Sequence, residues 1–212
     1  MTQHFRQLCA ALIAGLAMGT AMGGAYDSFF RAIELDDADR VATLIAQGFD
    51  PNAPNEAGEI GLFIALRGGA VKVARVLASH PGSNIDQANA ADETPLMMAA
   101  LKGNLAAAQQ LLNRAATVNR PGWSPLHYAA TGPEPELVRL LLDRGAAVDA
   151  RSPNGSTPLM MAARYGSETS VEALLLKGAN AFARNDQGLS ATDFAKLGGR
   201  TALAGRLEVR QP

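Results

Sequence analysis

Few side chains in this sequence are placed for chemistry. Of the three histidines, only His80 and His127 lie beyond an N-terminal stretch expected to be removed. They are not arranged as metal ligands, and neither a His-Glu-x-x-His pattern nor a paired-cysteine spacing occurs, so no zinc site is expected. Cys9 is the sole cysteine, which rules out an internal disulfide. No Gly-x-Ser-x-Gly elbow presents a nucleophilic serine. The acidic run Asp36-Asp37-Ala38-Asp39 could attract calcium, but it lacks the glycine and distal glutamate of an EF-hand loop. These acids suit the start of a helix, where they oppose the positive end of its dipole. Asn154-Gly155-Ser156 matches a glycan acceptor, yet Asn-Gly is ordinary turn chemistry and is read as such. Neither a catalytic residue, a metal nor a cofactor is expected, and the chain reads as a non-enzyme.

The bulk properties narrow the class further. The 212 residues are 48% hydrophobic but only 5% aromatic, so a core would be built from aliphatic side chains and close helix contacts. The net charge of −1 gives no basic footprint for nucleic acid.

The first 25 residues form a separate segment. Arg6 precedes the apolar run Leu8–Met18, and small residues follow, with Gly23 and Ala25 at the −3 and −1 places before Tyr26. That order is the pattern of a cleavable secretory leader. The other reading is an uncleaved anchor, but the bulky run is short and ends in glycines. The expected arrangement is a leader over 1–25 and a mature domain over 26–212, exported to the periplasm of a Gram-negative bacterium and free of the membrane after cleavage. The glycines of 15–24 fall in this leader, so they form no dinucleotide loop.

The elements that position the remaining side chains announce themselves by repetition. "ETPLMMAALKG" (93–103) returns as "STPLMMAARYG" (156–166), with "WSPLHYAATG" (123–132) between them. Pro95, Pro125 and Pro158 are spaced 30 and 33 apart. Leu62, Leu96, Leu126 and Leu159 fill one column, and Leu77, Leu111, Leu141 and Leu174 fill another fifteen residues on. A period near 33 signals a stacked repeat architecture. Within a unit, Thr94 or Thr157 is a helix N-cap, followed by a proline at the first helical position. A short helix, a glycine turn and a second helix such as "LVRLLLDRG" (137–145) follow, with Gly145 or Gly178 ending the latter in the left-handed region. Two helices this short cannot stand alone, so stacking must supply the core.

The segments "GSTPLMMAARYGSETSVEALLLKGANAFA" (155–183) and "GWSPLHYAATGPEPELVRLLLDRGAAVDA" (122–150) resemble ankyrin repeats. The resemblance implies an all-α solenoid of about six helix-turn-helix units joined by β-hairpin-like fingers, the units covering 26–54, 55–88, 89–119, 120–150, 151–184 and 185–208. The family's Thr-Pro-Leu-His motif survives in part as Ser124-Pro125-Leu126-His127, so His127 is expected to be structural. Met97, Met160 and Phe63 take the histidine's place elsewhere, and those layers are expected to lose its polar network. The last unit has Ser190 and Asp193 as a capping box instead of the proline.

The resemblance also implies protein binding through finger tips and the inner face of the first helices. By register, Glu59, Glu93, Trp123, Ser156 and Leu189 fall on fingers, and Arg67, Leu101, Lys102, Arg164 and Tyr165 fall on the concave face. The expected partner-binding set is Trp123, Tyr165, Arg164, Lys102, Arg67 and Glu93. The link 113–123 is about three residues short, so one finger should be stunted. Trp123, on that finger, either anchors a partner or folds back into the gap. Arg67, Lys102 and Arg164 could form a basic stripe. The expectation is a monomer that binds another protein as inhibitor or assembly factor, the competing reading being an envelope-maintenance module without a tight partner.

Overall fold

The computed structural model describes residues 24–209. The expected leader thus lies outside the described residues, except Gly24 and Ala25, which are helical. Among the described residues every regular element is a helix. In order these are α1 (24–34), α2 (Ala38–Ala46), α3 (Gly61–Gly68), α4 (Val71–Ser79), α5 (Pro95–Leu101) and α6 (Leu105–Asn113). There follow α7 (Pro125–Thr131), α8 (Pro135–Asp143), α9 (Pro158–Tyr165), α10 (Glu168–Leu176), α11 (Ala191–Leu197) and α12 (Thr201–Glu208). They pair successively and stack in two rows. The first helices α3, α5, α7, α9 and α11 form one row, and α2, α4, α6, α8 and α10 pack as the other.

The leucine columns explain the stacking. Leu62, Leu96, Leu126 and Leu159, and likewise Leu77, Leu111, Leu141 and Leu174, are all buried, and one apolar cluster runs from Phe29 to Leu207. Burying such a side chain is worth about 1.5–3 kcal/mol, and here most of that burial comes from neighbouring units. The alanine pairs Ala99/Ala100, Ala129/Ala130 and Ala162/Ala163 in the first helices let backbones approach so closely that the following turn tolerates no side chain at Gly132 and Gly166. A Cβ on Gly132 would lie 2.6 Å from the Ala100 carbonyl oxygen, and one on Gly166 would overlap that of Ala130.

Helix starts follow the sequence signals. Thr94, Thr157 and Ser190 accept the backbone N–H three residues on, at 3.3, 3.4 and 3.3 Å. A return bond is supplied by chemically different side chains. His127 Nδ1, Met97 Sδ, Met160 Sδ and an Asp193 carboxylate oxygen each accept the N-cap's own N–H, at 3.2, 3.4, 3.4 and 2.8 Å. The methionine layers therefore keep this bond, contrary to expectation, because a thioether is a weak acceptor. What they lose is the histidine's second bond to the next layer.

A polar ladder ties the units along the edge where the second helices end. Asn52, Asp86, Asn119 and Asp149 accept the backbone N–H groups of Asn84, Thr117, Ala147 and Asn180, at 2.6, 2.9, 2.8 and 3.0 Å. Phe182 occupies the next rung, in the last interval of the stack.

The fingers are tighter than β-hairpins. No strand forms among the described residues, only an isolated bridge between Pro54 and Ile60. Each full finger is a five-residue loop closed by one backbone bond: Asn55 N–H to Glu59 O, Asn89 to Glu93, Ser152 to Ser156 and Asn185 to Leu189, all 2.9–3.0 Å. The side-chain oxygens of Asn55, Asn89 and Asn185 accept the N–H of the fifth residue at 2.8, 3.0 and 2.9 Å. This bonding puts the fifth residue at the base of the finger rather than its tip. Glu59, 8% exposed, and Ser156, 1% exposed, are accordingly buried, which corrects their placement on an open finger. Between α6 and α7 the loop is cut short at Pro121-Gly122-Trp123: Asn119, four residues before Trp123, turns its side chain to the next unit, where its Oδ1 accepts the Ala147 N–H, and the closing bond is missing.

Candidate docking face

The shortened finger leaves a gap in the row, and the gap opens onto α7. Trp123 is half-buried, and its ring packs edge-on to His127, with centroids 5.3 Å apart. It neither stands free as an anchor nor disappears into the core. With Leu101 of α5, His127, Tyr128 and Thr131 of α7, and Met161 of α9, it lines a notch of about 200 Å³.

His127 forms the floor. Its Nδ1 lies 2.9 Å from Ser124 Oγ and accepts the Ser124 N–H, so the proton sits on Nε2, which donates to the Ser156 carbonyl at 3.0 Å. Burial pushes its pKa below the ordinary histidine value. The ring is thus a neutral strut between two layers. Tyr128 forms one wall, its hydroxyl donating to Glu93 at 2.9 Å; burial first, and the Glu93 carboxylate second, push the phenol pKa up.

Arg164 and Tyr165 stand one turn beyond Met161 on α9. Tyr165 is 56% exposed, and the Arg164 guanidinium lies over its ring at 4.9 Å. Lys102, exposed, caps the C-terminal end of α5 beside Leu101. α5 and α9 flank α7, so Lys102 follows the wall residue Leu101 on one side, and Arg164 and Tyr165 stand a turn beyond the wall residue Met161 on the other.

Two expected binding residues are otherwise engaged. Arg67 makes a two-pronged ion pair with Glu59, its Nη2 at 2.8 Å from Oε2, and lies over the Phe63 ring. This pairing holds the Glu59 carboxyl below its usual range, and it removes Arg67 from the basic stripe. The sequence register could not show it, because the partner lies on a finger base eight residues back. Glu93 is half-buried and accepts from both Tyr128 and Asn89, so it supports the notch wall rather than reaching outward. Tyr128 and Met161 were missed by register reasoning, which looked only at the positions after the alanine pairs, and Thr131, in the same column as Leu101 and Arg164, was not singled out there. Tyr128 and Met161 occupy the face one turn earlier than that column, and the gap uncovers it.

Among the described residues no group of histidine, cysteine or acidic side chains could hold a metal, and no helix is long and apolar enough to cross a membrane.

Comparison with known proteins places this architecture. A stretch of 87 residues is 46% identical to neurogenic locus notch homolog protein 4 of Homo sapiens, covering 39% of this chain and 4% of that protein. A stretch of 124 residues is 36% identical to tyrosine-protein kinase Shark of Drosophila melanogaster, covering 57% of this chain and 13% of that one. The chain thus spans only a small part of these relatives. Among solved structures, a chain in the complex of the predatory endopeptidase Bd0816 from Bdellovibrio bacteriovorus with immunity protein Bd3460 matches with a TM-score of 0.74 and 26% identity, over 87% of this chain and 98% of that one. The family profile described as ankyrin repeats (three copies) matches residues 29–121 and 115–185, well over half of the sequence. Ankyrin repeats in general mediate contacts between proteins. With the profile, the helix pairs and the solved relative in agreement, the chain belongs to the ankyrin-repeat family.

Proposed function

We propose that this chain is an exported binding module that captures a partner protein on the α5–α7–α9 face and acts as an inhibitor of an exported enzyme, without catalysis of its own. The observation that carries the reading is the gap over α7. It exposes an apolar notch on the face where the first helices line up, and Lys102, Arg164 and the exposed Tyr165 follow its wall residues on α5 and α9. Exposed tyrosine and partly buried tryptophan are the side chains that concentrate binding energy in interfaces. The solved relative supports the inhibitor role, since it comes from a complex of an endopeptidase with an immunity protein. Export rests on the leader pattern of residues 1–25.

Affinity capture from a periplasmic extract tests the reading, with wild-type protein as bait and a Trp123→Ala/Tyr165→Ala variant as control. A protein retained by the wild type and lost by the variant supports it, and more so if the retained enzyme is slowed by the purified chain. Equal retention by both baits would place the binding surface elsewhere.

A further inference from the structure

The notch has the size of one side chain. Its volume of about 200 Å³ lies below the roughly 300–1,000 Å³ of sites for drug-sized ligands. Its walls are mainly carbon, and the two hydroxyls and the imidazole N–H among them are already used. The Tyr128 hydroxyl donates to Glu93 at 2.9 Å and the Thr131 hydroxyl to the Tyr128 carbonyl at 2.8 Å. An apolar side chain entering here would leave these hydroxyls paired.

The charges around the mouth are uneven. Arg67 is neutralised by Glu59, and Asp92 is paired with Arg120. Glu93 is held by Tyr128 and Asn89. Lys102 and Arg164 form no ion pair among the described residues. The notch therefore offers an apolar socket with one uncompensated cation on the α5 side and another on the α9 side.

Resting on the protein-binding reading above, we infer that the notch receives one large aliphatic or aromatic side chain from an exposed loop or terminus of the partner, and that carboxylates adjacent to it in the partner's sequence pair with Lys102 and Arg164. The socket selects for size and apolarity, while the two cations select against basic flanks.

Trp123 is the chain's only tryptophan, so its emission reports occupancy directly. The probes are capped pentapeptides of sequence Gly-Glu-Leu-Asp-Gly, Gly-Glu-Ser-Asp-Gly and Gly-Lys-Leu-Lys-Gly. The first is expected to change the emission saturably, and the other two to bind at least about fivefold more weakly. Lys102→Glu and Arg164→Glu should each weaken the first peptide by about two- to fivefold, and should strengthen the lysine peptide, with thermal melts unchanged. No saturable change with the first peptide, or equal binding of all three, overturns the inference. In that event, capture that still depends on Trp123 and Tyr165 would leave the broader reading standing. Selective peptide binding with no captured partner would do the reverse.

Discussion

The Nε2–H of His127 donates to the carbonyl of Ser156, 3.0 Å away and one layer further along the stack. The ring is buried, and its Nδ1 accepts the Ser124 N–H, which only the neutral form can do, so protonation weakens the site from which this interlayer bond is made. Burial lowers its folded pKa below the ordinary value of 6.5, so the unfolded chain binds the proton more readily. Stability contributed by the neutral ring is therefore full above the unfolded pKa and is lost as pH falls through and below it. Urea unfolding should show declining stability from about pH 7 to pH 5.5. His127→Met copies the residue used by the layers on either side, so this variant should lose much less over the same interval. Identical pH profiles for the two proteins would remove His127 as the sensitive group.

Gly166 sits where any Cβ would overlap the Ala130 carbonyl, although its φ of −88° is open to every residue. Gly166→Ala is expected to destabilise the stack by about 2–3 kcal/mol, as overpacking against backbone allows little relief. Gly145→Ala is the contrast, because φ is +85° there but the space is open. It should cost only about 1 kcal/mol. Denaturant midpoints of the two variants distinguish spatial from conformational need.

Ala115 occupies the left-handed position that ends the second helix, with φ of +61°, where Gly48, Gly145 and Gly178 end the corresponding helices. It is exposed, so its methyl group adds little packing. Ala115→Gly should relieve the strain against a smaller entropic cost, raising stability by roughly 0.5–1 kcal/mol. A lower melting temperature would contradict this.

Much of the fold was legible in the sequence. The Thr-Pro starts, leucine columns and glycine ends each encode a local event whose period can be counted, so the helix pairs followed from spacing. What escaped depended on contacts between units or on unusual partners. The Met97 and Met160 thioethers replace a histidine acceptor that their hydrophobic character conceals. Glu59 binding Arg67, and Glu93 binding Tyr128, turn two supposed outward charges into scaffold. The short link before Trp123 was visible as a missing count of residues, but the groove it uncovers needed coordinates, since its walls come from three successive layers.

The gap over α7 can be closed by design. Inserting Arg-Ser-Pro after Arg120 together with Pro121→Asn rebuilds the Ser-Pro-Asn-Gly loop of the next finger. The variant should keep its helical circular dichroism and lose partner affinity by about tenfold or more, through occlusion of the notch. Undiminished affinity in a well-folded variant would show that the gap is not the entrance.

The most direct measurement is hydrogen exchange on the purified chain with and without its captured partner. The account predicts added protection at the Trp123 loop, α7 and the end of α9, with α6, α8 and α10 unchanged. Protection confined to those second helices, with the Trp123 loop unaffected, would contradict it.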